Sequence, residues 1–503
     1  MRKRIGTRPT LPTDLPAAGL SRLLEILAAL AGAGWAHYVE RLGLVRHAVE
    51  PAASPAAARD AVRLRETLEK LGPAFVKLGQ LLSLRRDLLP EDYVDELQRL
   101  QDDVAIFPGA AARSIVEREL ASPIGTLFTS FDETPLAAAS IGQVHAAQLA
   151  DGTSVIVKVQ RPGIEPVIQA DVRIMRFLAR RLEQCVPESR RFGPNDLVEE
   201  FARLIADELD YEIEGRNGDR LRENFKNDPT IFVPCIQWTL TSRRVLTMER
   251  SLGHKLAQPP IPDLAVRRYL AAALMASFFK QVFEHGFFHG DPHPGNVFLL
   301  ADGRLCFHDF GIMGELSTHD QEALAQLVLA VSSTDVGWIV DAYFEMGVAA
   351  ANVDREALAH DVAASLAVYY QAADKGYSFG EIVRQFAVLS RKHQIRLPSQ
   401  FLLVSKAFML IESQALSIDP DFNALAALRD YAPRLLASRA LQNLNPAAEV
   451  GRGFRLLRSL HRGATRLPDM LDRAIDVLGS GGSYAACRPR SIADARDAYR
   501  PCE

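Results

Sequence analysis

Apolar residues recur along this chain with two different periods, and the switch between them marks its organisation. Leu20, Leu23, Leu24, Leu27 and Leu30 form one stripe, so residues 20–45 are predicted to be an amphipathic packing helix. An Ala- and Pro-rich stretch, 48–58, reads as a linker after a leader at 1–18, and helix returns over Arg59–Leu71. In the following Gly72–Ser83, Lys77 and Gln80 are three apart and share a face, while Val76, Leu78, Leu81 and Leu82 can pack. Helical spacing continues to Leu120. Then the period shortens: Phe128–Thr134, Ile141–Leu149 and Thr153–Val159 read as strands, the last two joined by an Ala150-Asp151-Gly152 turn. Two long helices are predicted over 164–185 and 194–226, a strand over Val245–Arg250, and an apolar helix over Asp263–Glu284. Beyond Gly311 the chain reads as helical to about 440.

The densest chemistry falls between the last strand-like runs. His289-Gly-Asp-Pro-His-Pro-Gly-Asn296 precedes Val297–Leu300 and Leu305–Phe307, which Ala301-Asp302-Gly303-Arg304 turns into a hairpin, and Asp309-Phe310-Gly311 follows. A hairpin there brings Asp291, Asn296 and Asp309 to one end. Phosphoryl transfer needs such a set: one carboxylate to orient the attacking group, and an amide and a second carboxylate for Mg²⁺. Asp291 and Asn296 are five apart, as in the protein-kinase catalytic loop, although His-Gly-Asp replaces His-Arg-Asp. His285, His289 and His293 at i, i+4, i+8 offer a competing metal reading, but Pro292 and Pro294 exclude a regular helix through them.

Lys158 stands alone among the β-branched residues of Val155–Val159, where an unpaired ammonium is costly. It needs an anionic partner, either Glu208 or Glu214 of the second long helix, unless it is an edge-strand lysine reaching water. Glu212 reads as a solvated face. Met248 takes a gatekeeper-like position and Glu249 starts a hinge whose backbone would hold adenine. Ala137, Ala138, Ala139, Ser140 and Gly142 occupy the place of a phosphate loop. Each alanine carries a methyl where glycine would leave room, so the loop is expected to be stiff, with freedom only at Gly142.

Composition narrows the partners. The 503 residues carry a net charge of -4, which speaks against nucleic acid. Cys185, Cys235, Cys306, Cys487 and Cys502 have no paired spacing and read as thiols of a reducing compartment. Pro9, Pro12 and Pro16 follow the basic start, so no secretory signal is expected. The most hydrophobic segment reads as Ile26–Ala36, about half of the roughly 20 residues that span a bilayer. No transmembrane helix is expected.

Together these motifs resemble the UbiB/AarF family of atypical protein-kinase-like proteins, from about residue 60 to 430. Lys77-Leu-Gly-Gln80 is similar to the family's KxGQ signature and Ala137–His145 to its alanine-rich loop. The resemblance implies an α+β, bilobal, helix-rich kinase-like fold with an N-terminal helical extension packed over the active site. It also implies five segments: leader, helix and linker at 1–58, KxGQ extension at 59–124, small lobe at 125–250, large lobe at 251–440 and basic tail at 441–503. Glu208 and Asp210 match the ExD motif, with Glu208 paired to Lys77, which leaves Glu214 for Lys158. Lys77, Gln80, Glu208 and Asp210 would then be regulatory, Asp291, Lys158, Glu214, Lys77 and Gln80 catalytic, and Asn296 and Asp309 metal-binding. The implied ligands are ATP or ADP with Mg²⁺, and the implied role is support of ubiquinone or other isoprenoid-lipid metabolism. A nucleotide-binding scaffold with little turnover and a small-molecule phosphotransferase are the alternatives. Many family members end in two transmembrane helices. Here Arg452, Arg455, Arg458, Arg462 and Arg466 interleave with Phe454, Leu456, Leu457 and Leu460, a stretch suited either to an anionic membrane surface or to packing on the large lobe. The expected location is cytoplasmic, or peripheral at the inner face of a membrane.

Overall fold

In Val155–Val159 the valines alternate with Ile156 and Lys158, so a strand here must bury one face and send the lysine to the other. That constraint builds the first of two units. The computed structural model describes residues 17–35, 40–42, 57–100, 105–256, 263–332, 335–346, 353–371, 379–424, 426–428 and 430–431. One unit takes the residues up to Asp219 and Cys235–Arg250, and the other takes Arg220–Pro234 and those from Ser251 onward.

The first unit holds an antiparallel sheet of β1 (Ser130–Ala138), β2 (Gly142–Gln148), β3 (Ser154–Gln160) and β5 (Val245–Glu249), in that order. Val155, Val157, Val159 and Val245 are fully buried. They pack on Ala112, Ile115 and Val116 of the helix Gly109–Glu119, and Lys158, opposite Leu246, points the other way. The helix Gly109–Glu119 is α5, and Ile124–Leu127, which joins the same core, is α6. A second core joins α1 (Ala17–Leu30), α2 (Ala57–Leu71), α3 (Pro73–Leu82), α4 (Glu91–Leu97), α7 (Ile164–Cys185) and α8 (Pro194–Glu208). Arg22 of α1 ties this cluster with bonds of 2.8 and 3.0 Å to the buried Asp171 of α7. Gly79 of α3 sits where a Cβ would lie 2.3 Å from a Leu100 methyl and 2.8 Å from one of Leu68, so glycine lets this helix press on its neighbours.

Of the helix predicted over 20–45, α1 runs to Leu30 and passes into a π-helical turn at Ala31–Trp35, and residues 36–39 and 43–45 lie outside the described residues. Most of the 48–58 linker and the whole tail from 441, with its arginine stretch, lie outside the described residues. The single helix expected over 194–226 is broken. It ends at Glu208, and α9 (Tyr211–Asn224) starts afresh. The Asp210 carboxylate accepts from the Glu212 N–H at 3.0 Å, and the Tyr211 N–H donates to the Arg243 carbonyl at 3.0 Å. The buried Gln160 amide donates to the Leu209 carbonyl at 2.6 Å and so holds the corner. Asp210 thus acts as an N-cap, a local competitor that helical periodicity alone does not reveal.

In the second unit, β4 (Ile231–Phe232), β9 (Leu305–Phe307), β8 (Val297–Leu300) and β6 (Gly253–Lys255) form one sheet in that order, and β7 (Phe287–His289) pairs with β10 (Met313–Glu315). The expected helix from 263 is present as α10 (Leu264–Phe279), capped by Asp263, and runs on as a π-helical turn to His285. Pairing of β7 with β10 was not anticipated, nor was any strand after Gly311. The rest of the described chain is helical: α11 (Thr318–Ser332), α12 (Val336–Glu345), α13 (Arg355–Gln371), α14 (Phe379–Lys392) and α15 (Ser399–Ile418). Phe408 of α15 meets Phe278 and Phe279 of α10 at ring distances of 5.8 and 6.0 Å.

Helix α15, not Ile26–Ala36, is the one described helix long and apolar enough to cross a membrane. Its Phe401, Leu402, Val404, Ala407, Phe408 and Ile411 are buried in the unit, the pattern of a core helix.

The alanine stretch also differs from a loop. Ala137 and Ala138 end β1, paired with Val144 and Gln143, and the Ala139 N–H donates to the Gly142 carbonyl at 2.8 Å. Only a tight turn remains, with Ser140 buried. Gly142 does not take a left-handed conformation; it supplies space, because a Cβ would stand 2.3 Å from the Tyr211 hydroxyl and 2.5 Å from the Val159 carbonyl oxygen. Gly142→Ala is therefore expected to cost about 1–3 kcal/mol in urea unfolding, as overpacking against fixed atoms does. Adding Tyr211→Phe should restore part of that loss. An unchanged midpoint in the single variant would refute the packing argument.

Candidate active site

In the first unit, the Lys158 ammonium donates to both oxygens of Glu214, at 2.8 and 2.9 Å. Glu214 lies in the first turn of α9 and is 4 % exposed. The break at Leu209–Asp210 lets α9 restart at an angle that presents Glu214 to β3. Tyr211, one turn earlier, places its ring 5.2 Å from the same ammonium, a cation–π contact. Lys77 of α3 pairs with Glu208, the last residue of α8, at 2.6 Å. The two glutamates left open for Lys158 are thus divided: Glu214 takes Lys158 and Glu208 takes Lys77. Gln80 donates to the Leu100 carbonyl at 3.3 Å. Met248 is buried opposite Ile156, and the Glu249 N–H donates to the Cys235 carbonyl at 2.9 Å.

In the second unit the segment 290–296 between β7 and β8 has no regular structure, since its prolines and glycines support none. Side chains hold it instead. The Asp291 N–H donates to Nδ1 of the buried His289 at 3.1 Å, and Nε2 of that ring donates to the His308 carbonyl at 2.8 Å. His289 is therefore a neutral strut: protonating Nδ1 would break its bond to Asp291. Burial holds it below the ordinary imidazole range. The Asn296 amide nitrogen donates to the Asp291 carbonyl at 3.2 Å, and the His308 N–H donates to the Asn296 carbonyl at 2.9 Å. Asp291, Asn296 and the start of the Asp-Phe-Gly segment are thereby linked.

Asp309 is exposed and left-handed at φ 59°, while Phe310 beside it is fully buried. Non-glycine residues seldom adopt this backbone, and asparagine and aspartate tolerate it best. The Asn296 amide turns its nitrogen to the loop, so its oxygen end faces away from that bond. An amide oxygen and a carboxylate are hard donors that suit Mg²⁺, which takes few protein ligands and fills its sphere with water and phosphate. The histidine metal reading does not hold. Both His289 nitrogens are engaged, and His293 Nδ1 accepts from the Gly295 N–H at 2.9 Å. Among the described residues no three His, Cys, Asp or Glu side chains are grouped to hold a metal.

Comparison with known proteins matches residues 99–343 to the ABC1 atypical kinase-like domain and 362–423 to the UbiB helical domain. A probable protein kinase UbiB of Marinobacter nauticus is 38 % identical over 379 residues, 73 % of this chain and 69 % of that protein. One of Pseudomonas entomophila is 33 % identical over 435 residues, 84 % and 78 % of the two chains. The chain belongs to the UbiB family of atypical kinase-like proteins. Its α+β, kinase-like fold follows from the same matches. Among solved structures, that of Rv3197 with erythromycin from Mycobacterium tuberculosis is similar at a TM-score of 0.49 and 24 % identity, covering 70 % of this chain and 90 % of that one.

Within this UbiB-family chain, four residues escaped the sequence reading: Gln160, Tyr211, His289 as a strut, and Lys406. Lys406 of α15 reaches Asp291 Oδ1 at 3.0 Å. No local pattern marks it, because a lysine in an apolar helix reads as a solvated interruption.

Burial also lowers the pKa of His145 and His285 and holds His308 at about 4. A group depressed on folding binds its proton in the unfolded chain first. Stability is thus fully present above the ordinary value near 6.5 and falls as pH drops from there towards 4. For His308 the loss should reach about 2 kcal/mol at pH 5. Urea unfolding at pH 7.5 and pH 5 should show the parent losing more stability than His308→Asn. Equal losses would mean that His308 is not held neutral.

Proposed function

We propose that this chain uses Mg²⁺ and ATP as a phosphotransferase or ATPase serving isoprenoid-quinone or other lipid metabolism. The observation that carries the reading is the two-oxygen grip of Glu214 on Lys158. An ion pair so well buried needs both partners, and a fixed ammonium on a strand suits the phosphates of a nucleotide. The β1–β2 turn over Ala137–Gly142, with Ala138, Ala139 and Ser140, would lie against those phosphates by its backbone. Backbone groups near Met248 and Glu249 would receive adenine. Asp291 orients the acceptor hydroxyl or a water and takes its proton, its backbone N–H held by His289 and its carbonyl by Asn296. Asn296 and Asp309 would hold Mg²⁺, which when bound neutralises charge on the transferring phosphoryl group. Lys77, paired with Glu208, is assigned a regulatory role with Gln80 and Asp210. The acceptor would be a quinone precursor or isoprenoid lipid, a reading that the UbiB relatives support, and the arginine-rich stretch at 452–466 would meet a membrane surface.

The purified chain should hydrolyse Mg·ATP, and Asp309→Asn should lower turnover at least a hundredfold. Lys158→Met should weaken ATP binding in calorimetry by at least tenfold, about 1.4 kcal/mol. Nucleotide binding at ordinary strength with no turnover by the parent would favour the scaffold reading. Unchanged affinity in Lys158→Met would remove the nucleotide assignment itself.

A further inference from the structure

The segment His289–Asn296 contains no lysine or arginine, so the loop supplies carboxylate chemistry with no cation of its own. Within the same unit that cation comes from α15, inside the stretch matched to the UbiB helical domain. Three adjacent loop residues meet one face of this helix. Gly290 lies so near that an added Cβ would stand 2.9 Å from a Leu403 methyl. Asp291 Oδ1 is 3.0 Å from the Lys406 ammonium. The Pro292 carbonyl accepts from the buried Gln414 amide. Leu403, Lys406 and Gln414 recur at the helical repeat, so one rigid helix grips the loop at three successive points.

Buried Gln414 and close-packed Leu403 settle where the helix sits, and that in turn settles where Lys406 must point. The pair itself is different in kind, with side-chain exposures of 26 % and 27 % for Lys406 and Asp291. It is wet enough for a substrate to reach. A contact this open adds little to folding stability. Its value lies in direction, since a carboxylate tethered at one oxygen presents the other in a fixed orientation.

We propose that Lys406 is a positioning residue for Asp291, and that supplying it is what the helical domain contributes to the reaction. This rests on the reading of the chain as an ATP-using enzyme. The proposal places Lys406 against the carboxylate that accepts the proton of the attacking group, and gives α15 a role beyond packing. It also explains why glycine precedes Asp291: a side chain there would push α15 and its lysine away.

Two measurements on the full chain test it. In the first, Lys406 is acylated with acetic anhydride and followed by mass spectrometry in the parent and in Asp291→Asn. At least a fivefold faster reaction is expected in the variant, and equal rates would overturn the pairing. In the second, Mg·ATP turnover is measured for Lys406→Met and Lys406→Arg, with thermal unfolding to show that both are folded. Lys406→Met should lose at least tenfold in kcat with KM for ATP within twofold, and Lys406→Arg should regain most of the loss. Full kcat in Lys406→Met, or a loss that appears only in KM, would overturn the positioning role. If the parent shows no turnover, the functional reading above fails, and the acylation rates decide by themselves whether Lys406 is held on Asp291.

Discussion

An ammonium on the middle of a valine-rich strand has to find an anion, and much of the first unit answers that need. Removing two ions from water costs several kcal/mol each, so the pair is tolerable only with close and complete contact. Glu214 supplies it with both oxygens. To reach β3, the glutamate must sit at the start of a helix and not in the middle of a longer one, and Asp210 and Gln160 make that break. Tyr211 follows from the same corner, its ring beside the ammonium and its hydroxyl against Gly142. One electrostatic constraint therefore accounts for a helix break, a buried amide, an aromatic contact and a glycine.

A second ion pair sits where α8 ends. Lys77 and Glu208 join α3, pressed into its neighbours by Gly79, to the segment that leads into α9. Whatever shifts α3 acts on the same corner that positions Glu214. The regulatory role proposed for Lys77, Gln80, Glu208 and Asp210 would run inside this unit, through the few residues of backbone between Glu208 and Glu214.

The second unit solves a different problem. A segment with two prolines and two glycines cannot be held by a helix or a sheet ladder, so its carboxylate and amide are aimed by side-chain bonds. His289 serves as the internal strut only while neutral, and burial keeps it so. From outside, α15 closes on the same residues with Leu403, Lys406 and Gln414. Inside this unit, residues 290–292 of the kinase-like match meet α15 of the helical-domain match, which brings a cation to the loop.

Local order and residue type were legible in the chain itself. The short strands, the Asp-Gly turns, the Asp291, Asn296 and Asp309 set and the need of Lys158 for an anion are written in periodicity and spacing, since each depends on near neighbours. What the chain alone left open were choices between equivalent partners and events at element ends. Periodicity alone does not separate Glu208 from Glu214; the family resemblance pairs them with Lys77 and Lys158, and the corner at Leu209–Asp210 is what sends them there. The alanine stretch looked like a loop because small residues carry no period, whereas pairing with β2 makes most of it strand. By its sequence Ser399–Ile418 is one more helix of the large unit. Its lysine acquires meaning only when the fold lays it against Asp291. Periodicity reports which face of an element is buried, but it cannot report what that face meets, and the second question is decided by contacts between residues far apart in the chain.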